Sequence, residues 1–119
     1  MNRILKFRAW LKETKEMIQV YDISWNKDMI NTEGAWRFFD EIVIMQYTGL
    51  KDRNGVEIYE GDIVELEWTG FSRAYVRYDE GSFDIVNQYQ DVLLYLCVTN
   101  HRAEVIGNIY NNPKLLEVE

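Results

Sequence analysis

The residues that could do chemistry in this chain are few and poorly spaced for it. His101 is the single histidine and Cys97 the single cysteine. They stand at i, i+4, so on one helix the thiol and the imidazole would meet. A structural zinc site needs several N or S ligands, and this pair is half of one. Covalent catalysis at Cys97, Ser24, Ser72 or Ser82 would need a base within hydrogen-bond reach. His101 is the one histidine for that role, and no GxSxG elbow surrounds any of these nucleophiles. The plain reading is a core thiol, because free cysteine behaves as a small hydrophobe. A loop imidazole follows it in TNHR.

Carboxylates are the other candidates. Glu57, Glu60, Asp62, Glu65 and Glu67 form the densest acidic group, and two carboxylates with a metal can run phosphoryl chemistry. Glu65 and Glu67 alternate with Val64, Leu66 and Trp68, which puts them on the solvent face of a strand. Asp62 follows Gly61 where that strand begins, a position from which Asp accepts hydrogen bonds from nearby backbone amides. Asp79–Asp84 (DEGSFD) lacks the ligand order of an EF-hand and reads as a hairpin tip. No Gly-Lys-Ser/Thr phosphate loop occurs. The sequence therefore predicts no catalytic residue, no metal site, no cofactor and no enzyme.

Charge narrows the partners. The 119 residues carry a net charge of −7. Residues 1–60 hold nine Lys/Arg against ten Asp/Glu, and residues 61–119 hold four against ten. An acidic chain is a poor generic binder of nucleic-acid phosphates, since that binding draws on counterion release at Lys and Arg. The exception is the first fifteen residues, where Arg3, Lys6, Arg8, Lys12 and Lys15 face Glu13 alone. They form the candidate nucleic-acid patch. A lone cysteine precludes an intramolecular disulfide and points to a reducing cytoplasm. MNRILKFRAW has no long apolar core of the secretory type, and no apolar run is long enough to span a bilayer.

The elements that must position these residues read as mostly β. Ile4–Trp10 and Met17–Trp25 form a predicted hairpin around the polar LKETKE. Asn26–Asp40 is irregular. It contains a turn at Asn31-Thr32-Glu33-Gly34, then Ala35–Phe39 as a short helix or an extended plug. The spacing of Trp36 and Phe39 favours one helical turn. Ile42–Tyr47 is a buried strand. Asn54-Gly55 tolerates positive φ and signals a hairpin. Asp62–Trp68 alternates as a half-buried strand. Arg73–Tyr78 and Ser82–Val86 form another hairpin, turned at Asp79-Glu80-Gly81. Tyr89–Val98 reads as a short helix, with a strand over Leu93–Val98 as its competitor. Glu104–Tyr110 is the last strand, and Asn112 caps a terminal turn with Pro113 at its first position. The three cleanest β-branched runs, Ile42–Tyr47, Asp62–Trp68 and Glu104–Tyr110, are expected to form a central sheet. Seven or so short strands without long crossover helices favour a small antiparallel barrel or roll.

Three blocks of this sequence resemble one family. KFRAW (Lys6–Trp10), MQYTGLKDRNGVEIYEGDIVE (Met45–Glu65) and EVIGNIYNNPKLL (Glu104–Leu116) look like the YopX family of phage and prophage proteins. The middle block is the most specific of the three. The resemblance implies a β-rich fold around an SH3-like barrel and a bacteriophage or prophage origin. It carries over no activity and no catalytic residue. The resulting expectation is a single domain over 1–119, with an N-terminal hairpin lobe at 1–40. Its class is mainly β: an SH3-like barrel or roll with an N-terminal β-hairpin and one or two short helices.

The aromatic residues are the remaining signal. Four Trp, eight Tyr and five Phe are many for one small core. Rings left outside would form an apolar patch of the kind that marks an interaction site, with most of the Trp inside. Tyr47, Tyr59 and Tyr110 flank turns in these blocks, the first two in the middle block and the third in the last, and are the candidate interaction residues. The function expected is a non-enzymatic interaction module in the cytoplasm of a bacterial host. It would self-associate or bind a protein partner, with no membrane role. The alternative is a small nucleic-acid-binding protein using the basic N-terminal hairpin.

Overall fold

The computed structural model describes residues 4–66 and 73–117. Among the described residues the protein is mostly β, 56% strand and 11% helical, built from curled antiparallel sheets with no long helix. The expected fold class stands. Two compact units divide it, Met1–Tyr47 and Thr48–Glu119. Among the described residues there are twelve short strands rather than seven.

The first unit begins with the expected hairpin. Strand β1 (Phe7–Leu11) pairs antiparallel with β2 (Glu16–Gln19), with Leu11 opposite Glu16. The loop closes through Lys15 N–H donating to Leu11 O at 2.8 Å. The predicted second strand is too long, because the chain changes sheets inside it. Val20 N–H donates to Phe7 O, whereas Tyr21 N–H donates to Asn31 O. Successive strand amides point to opposite sides, so the chain leaves the edge of β1 and joins a neighbouring three-stranded sheet. That sheet is β3 (Asp22–Ser24), β4 (Met29–Thr32) and β5 (Ala35–Phe38), in the order β3-β4-β5. The expected turn at Glu33-Gly34 is present, with Gly34 at φ 83°.

Ala35–Phe38 is therefore a strand, and the helical turn expected there does not form. A 3-10 turn follows at Phe39–Glu41 instead. Strand β6 (Ile42–Lys51) then runs antiparallel to β1, with Leu11 opposite Ile42 and Phe7 opposite Gln46. A small core of Ala9, Leu11, Ile30 and Ile42 holds this unit, with Ile18, Ile23 and Phe39 packed on it.

In the second unit, β7 (Glu57–Tyr59), β8 (Asp62–Leu66), β9 (Arg73–Asp79), β10 (Ser82–Val86), β11 (Val92–Tyr95) and β12 (Ala103–Asn108) follow in turn. Five of them form one antiparallel sheet in the order β11-β10-β9-β8-β12. The expected central sheet is only partly right. β8 and β12 do pair, with Val105 opposite Val64, but Ile42–Tyr47 runs beside β1. A β-branched run signals burial and does not name its partner strand. The Glu80-Gly81 turn joins β9 to β10 with both residues at positive φ (48° and 87°), as a two-residue hairpin requires.

Tyr89–Val98 is corrected in both directions. Val92–Tyr95 is a strand paired with β10, and only Leu96–Thr99 (α1) is helical. The cause lies just upstream. Asn87 is buried, and its Oδ1 accepts from Tyr89 N–H and Asp91 N–H at 2.9 and 3.0 Å. Those amides are tied into a tight turn and unavailable to a helix. Leu96 then enters the main core of Ile58, Val64, Leu66, Val76, Ile85 and Ala103. The terminal 3-10 turn Pro113–Leu116 has Asn112 at its cap position and Pro113 at its start, but no side-chain cap. Asn112 Oδ1 instead accepts from Asn108 N–H at 3.2 Å.

Candidate functional site

The expected nucleophile and metal residues are not assembled. Cys97 is exposed, which corrects the reading of a core thiol. On the single helical turn Leu96 takes the inward position, so its neighbour faces out. His101 lies exposed in the 3-10 turn Asn100–Arg102. Among the described residues, no group of three or more His, Cys, Asp and Glu is arranged to hold a metal.

The acidic group is mostly structural. Asp62 is buried, and its Oδ2 accepts from Tyr59 N–H at 2.7 Å across the Glu60-Gly61 turn, the amide role read from the sequence. Glu65 Oε2 stands 3.7 Å from Arg73 Nε across β8 and β9. Glu67 and Trp68 lie outside the described residues.

Sequence reasoning passed over Asp52, which holds the middle block together. It is 5% exposed. Its Oδ1 accepts from Asn54 N–H and Val56 N–H at 2.8 and 2.9 Å. Its Oδ2 accepts from Val105 N–H in β12 at 2.9 Å. Burial alone would raise its pKa. The three backbone donors, with the nearby Arg53 guanidinium, outweigh it and hold the pKa below the usual carboxylate range. The signal was in the sequence: an Asp two residues before Asn-Gly is placed for an Asx turn.

The candidate aromatic residues are largely misplaced. Tyr47 is 5% and Tyr59 8% exposed, and Tyr110 is half-buried. Tyr47 shares a strand parity with buried Met45 on β6, so it faces the interior, with Lys6 Nζ 5.8 Å from its ring centroid. Tyr47 and Tyr59 are thus buried residues and not an exposed surface. The expectation that most Trp are internal also fails. Trp10 is buried, but Trp25 is 68% and Trp36 51% exposed.

Exposed rings gather on other residues. On β5, Trp36 and Phe38 are two apart and so share a face, with Phe38 54% exposed. Across the ladder Asn31 stands opposite Trp36, and Met29 opposite Phe38. Asp22 and Ser24 of β3 continue the same two rows. Trp25, at the β3–β4 turn, packs edge-on against Phe39 with centroids 5.7 Å apart. The other face of this sheet carries Ile23, Ile30 and Arg37 in register, and Ile30 is fully buried. The sheet is thus oriented by Ile30, and its aromatic face is the one turned to solvent. Alternation alone could not reveal this, because both faces of β5 carry large side chains.

Among the described residues, the basic ones do not form one cluster. Lys6 and Arg8 are half-buried, while Lys12 and Lys15 are exposed at the hairpin loop. Lys12 Nζ donates to Asp40 O at 3.2 Å. Six residues of extended chain place Lys6 and Lys12 roughly 20 Å apart. Arg3 lies outside the described residues. Residues 21–41, which carry the aromatic sheet, hold five Asp/Glu against Lys27 and Arg37. Among the described residues no helix is long and apolar enough to cross a membrane.

No curated protein matches the chain. A crystal structure of protein EF1440 from Enterococcus faecalis is 32% identical, with a TM-score of 0.71. The match covers 97% of this chain and 99% of that one. The family model described as YopX protein matches residues 6–117, reaching from the first recognised block through the last. The chain belongs to the YopX protein family.

Proposed function

We propose that this protein is a non-enzymatic interaction module of phage or prophage origin, working in the cytoplasm of a bacterial host. It binds a protein partner through the outer face of β3–β5. The observation that carries this reading is the pair Trp36 and Phe38, each more than half exposed on one face of a sheet whose other face is anchored in a core through Ile30 and Ile23. Large rings held rigidly at a surface are the side chains that dominate protein interfaces. Exposing them without a partner has a hydrophobic cost and invites aggregation. The acidic surroundings of that sheet favour a partner with basic and apolar groups and oppose nucleic-acid phosphate. Self-association through the same face is the other form this function could take. The exposed Cys97 thiol is consistent with a reducing compartment.

A pull-down from host lysate, with and without nuclease, tests the reading. A partner that survives nuclease and is lost with Trp36→Ser supports it. Recovery only with nucleic acid present would replace it with the nucleic-acid alternative. A companion anisotropy titration with random duplex DNA near physiological salt should stay flat into the micromolar range.

A further inference from the structure

A second site lies on the other side of β5. A cleft of about 370 Å³ is lined by Glu16, Met17, Ile18 and Gln19 of β2, and by Thr32, Ala35 and Arg37 across from them, among others. Four consecutive residues of β2 touch it. Side chains alternate between the faces of a strand, so a space that touches all four runs along the strand's edge and not over one face. β2 is the outer strand of its sheet, with β1 on one side. Val20 N–H donates to Phe7 O, which fixes the phase of the β1–β2 ladder. By alternation, Ile18 and Glu16 exchange hydrogen bonds with β1, and the N–H and C=O groups of Met17 and Gln19 face the cleft. Gln19 keeps its side chain away, donating Nε2–H to Phe7 O at 3.2 Å.

The opposite wall holds a charge without a partner. Arg37 sits on the inner face of β5, in register with Ile23 and Ile30. Its Nε is buried and makes no hydrogen bond, and among the described residues its guanidinium has no ion pair. A planar guanidinium next to apolar packing is a geometry built for a carboxylate. Glu16 and Glu33 line the rim but do not fill this role. Neither lies within ion-pair distance of the Arg37 guanidinium; Glu16 Oε1 accepts from Thr14 Oγ1, and Glu33 is exposed on the turn. The floor is closed by Leu11 and by Thr32, whose Oγ1 donates to Ala35 O.

We propose that this cleft receives an extended peptide segment of a partner protein, which adds to the free edge of β2 and presents a Glu side chain to Arg37. The backbone of the incoming strand hydrogen-bonds Met17 and Gln19. Its carboxylate bonds the Arg37 guanidinium. The four residues of β2 offer an edge of about 13 Å at about 3.3 Å per residue, so the footprint is short. This is addition of a strand to a sheet edge, in which main-chain bonds give affinity and side-chain pockets give selectivity. It is independent of the aromatic face, since Arg37 and Trp36 project from opposite sides of β5.

The test uses the full chain and two capped peptides, acetyl-Thr-Val-Glu-Val-Thr-amide and its Gln analogue. Calorimetric titration at low salt reads affinity, and amide hydrogen exchange by NMR reads the site. The Glu peptide should bind at least about tenfold more tightly than the Gln peptide, the ratio expected of a charge-assisted bond at a shielded site. Arg37→Met should remove that preference. Binding should slow exchange at Met17 and Gln19 while leaving the Trp36 and Phe38 amides unchanged. Equal binding of the two peptides to the native protein overturns the proposal, and this comparison needs no variant that might misfold. So does the absence of binding at millimolar peptide. Binding without protection at Met17 and Gln19 also overturns it.

Discussion

Replacing Asp52 should loosen the second unit. Its carboxylate serves three backbone N–H groups, from Asn54, Val56 and Val105, and so ties the turn after β6 to β12. A hydrogen bond to a charged group contributes about 1.5–3 kcal/mol net. The three are not additive, because one carboxylate makes them all. Asn54 and Val56 are exposed, so water can take over their amides when the acceptor is lost. The Val105 amide lies in a half-buried strand and has less recourse to water. Asp52→Ala should therefore cost about 3–4 kcal/mol, against a typical domain stability of about 5–15 kcal/mol. Asp52→Asn keeps one acceptor oxygen but aims an NH₂ at a donor, and should cost about 2 kcal/mol.

The pH dependence gives an independent check. The folded-state pKa of Asp52 is depressed, so its contribution is complete above the unfolded-state pKa and is lost as pH falls through the folded value. The gap between the native protein and Asp52→Asn should be widest near neutral pH and shrink on acidification below the usual carboxylate range. Urea unfolding at a series of pH values measures it. An Asp52→Asn protein within about 0.5 kcal/mol of the native one at neutral pH would refute the reasoning.

Four further outcomes follow from the packing. Tyr59→Ser should lower stability by about 3–5 kcal/mol in chemical denaturation, the range for removing a buried ring, because that ring is internal. Gly107→Ala should lower the melting temperature: an added Cβ would lie 2.6 Å from Asn112 Oδ1 and 3.1 Å from Leu115 Cδ1, an overpacking cost of about 1–3 kcal/mol. Gly81→Ala meets no atom within 4 Å but sits at φ 87°, so it should cost about 1 kcal/mol of pure backbone strain in the same assay. Cys97 should react with a thiol reagent in the native protein as fast as in the unfolded chain, since it is exposed.

What the sequence made legible was turn chemistry. Asn54-Gly55, Glu80-Gly81 and the Asp62 side chain act locally, through φ preferences and short-range hydrogen bonds, so a single chain reveals them. The alternation of β8 was only half readable: Val64 and Leu66 face the core as expected, but Ile63, on the same face as Glu65, is fully buried as well, so the strand is covered on both faces rather than half-buried. What failed depended on long-range pairing. Trp36 and Phe39 at i, i+3 suggested a helical turn, yet pairing with β4 made Ala35–Phe38 a strand. Tyr47 and Tyr59 flank turns, but whether a ring next to a turn points in or out depends on strand parity, which is set by distant partners. The Tyr89–Val98 helix was lost to Asn87, whose buried amide side chain dictates the turn into β11 from outside the helical pattern. The aromatic sheet hid for a related reason. Each of its faces mixes apolar and polar residues, Trp36 and Phe38 with Asp22 and Asn31 on one and Ile23 and Ile30 with Arg37 on the other, so no period could mark it.

The most direct measurement is made on the double variant Trp36→Ser/Phe38→Ser. Both rings are mostly solvent-exposed, so the thermal unfolding midpoint should change little. Sedimentation velocity across a concentration series, alone and with the partner recovered by pull-down, then reads association. The expected result is a native-like fold with the complex, or the self-association, abolished. A folded double variant that still associates as the native protein does would contradict it, and so would a native protein that stays monomeric and captures no partner.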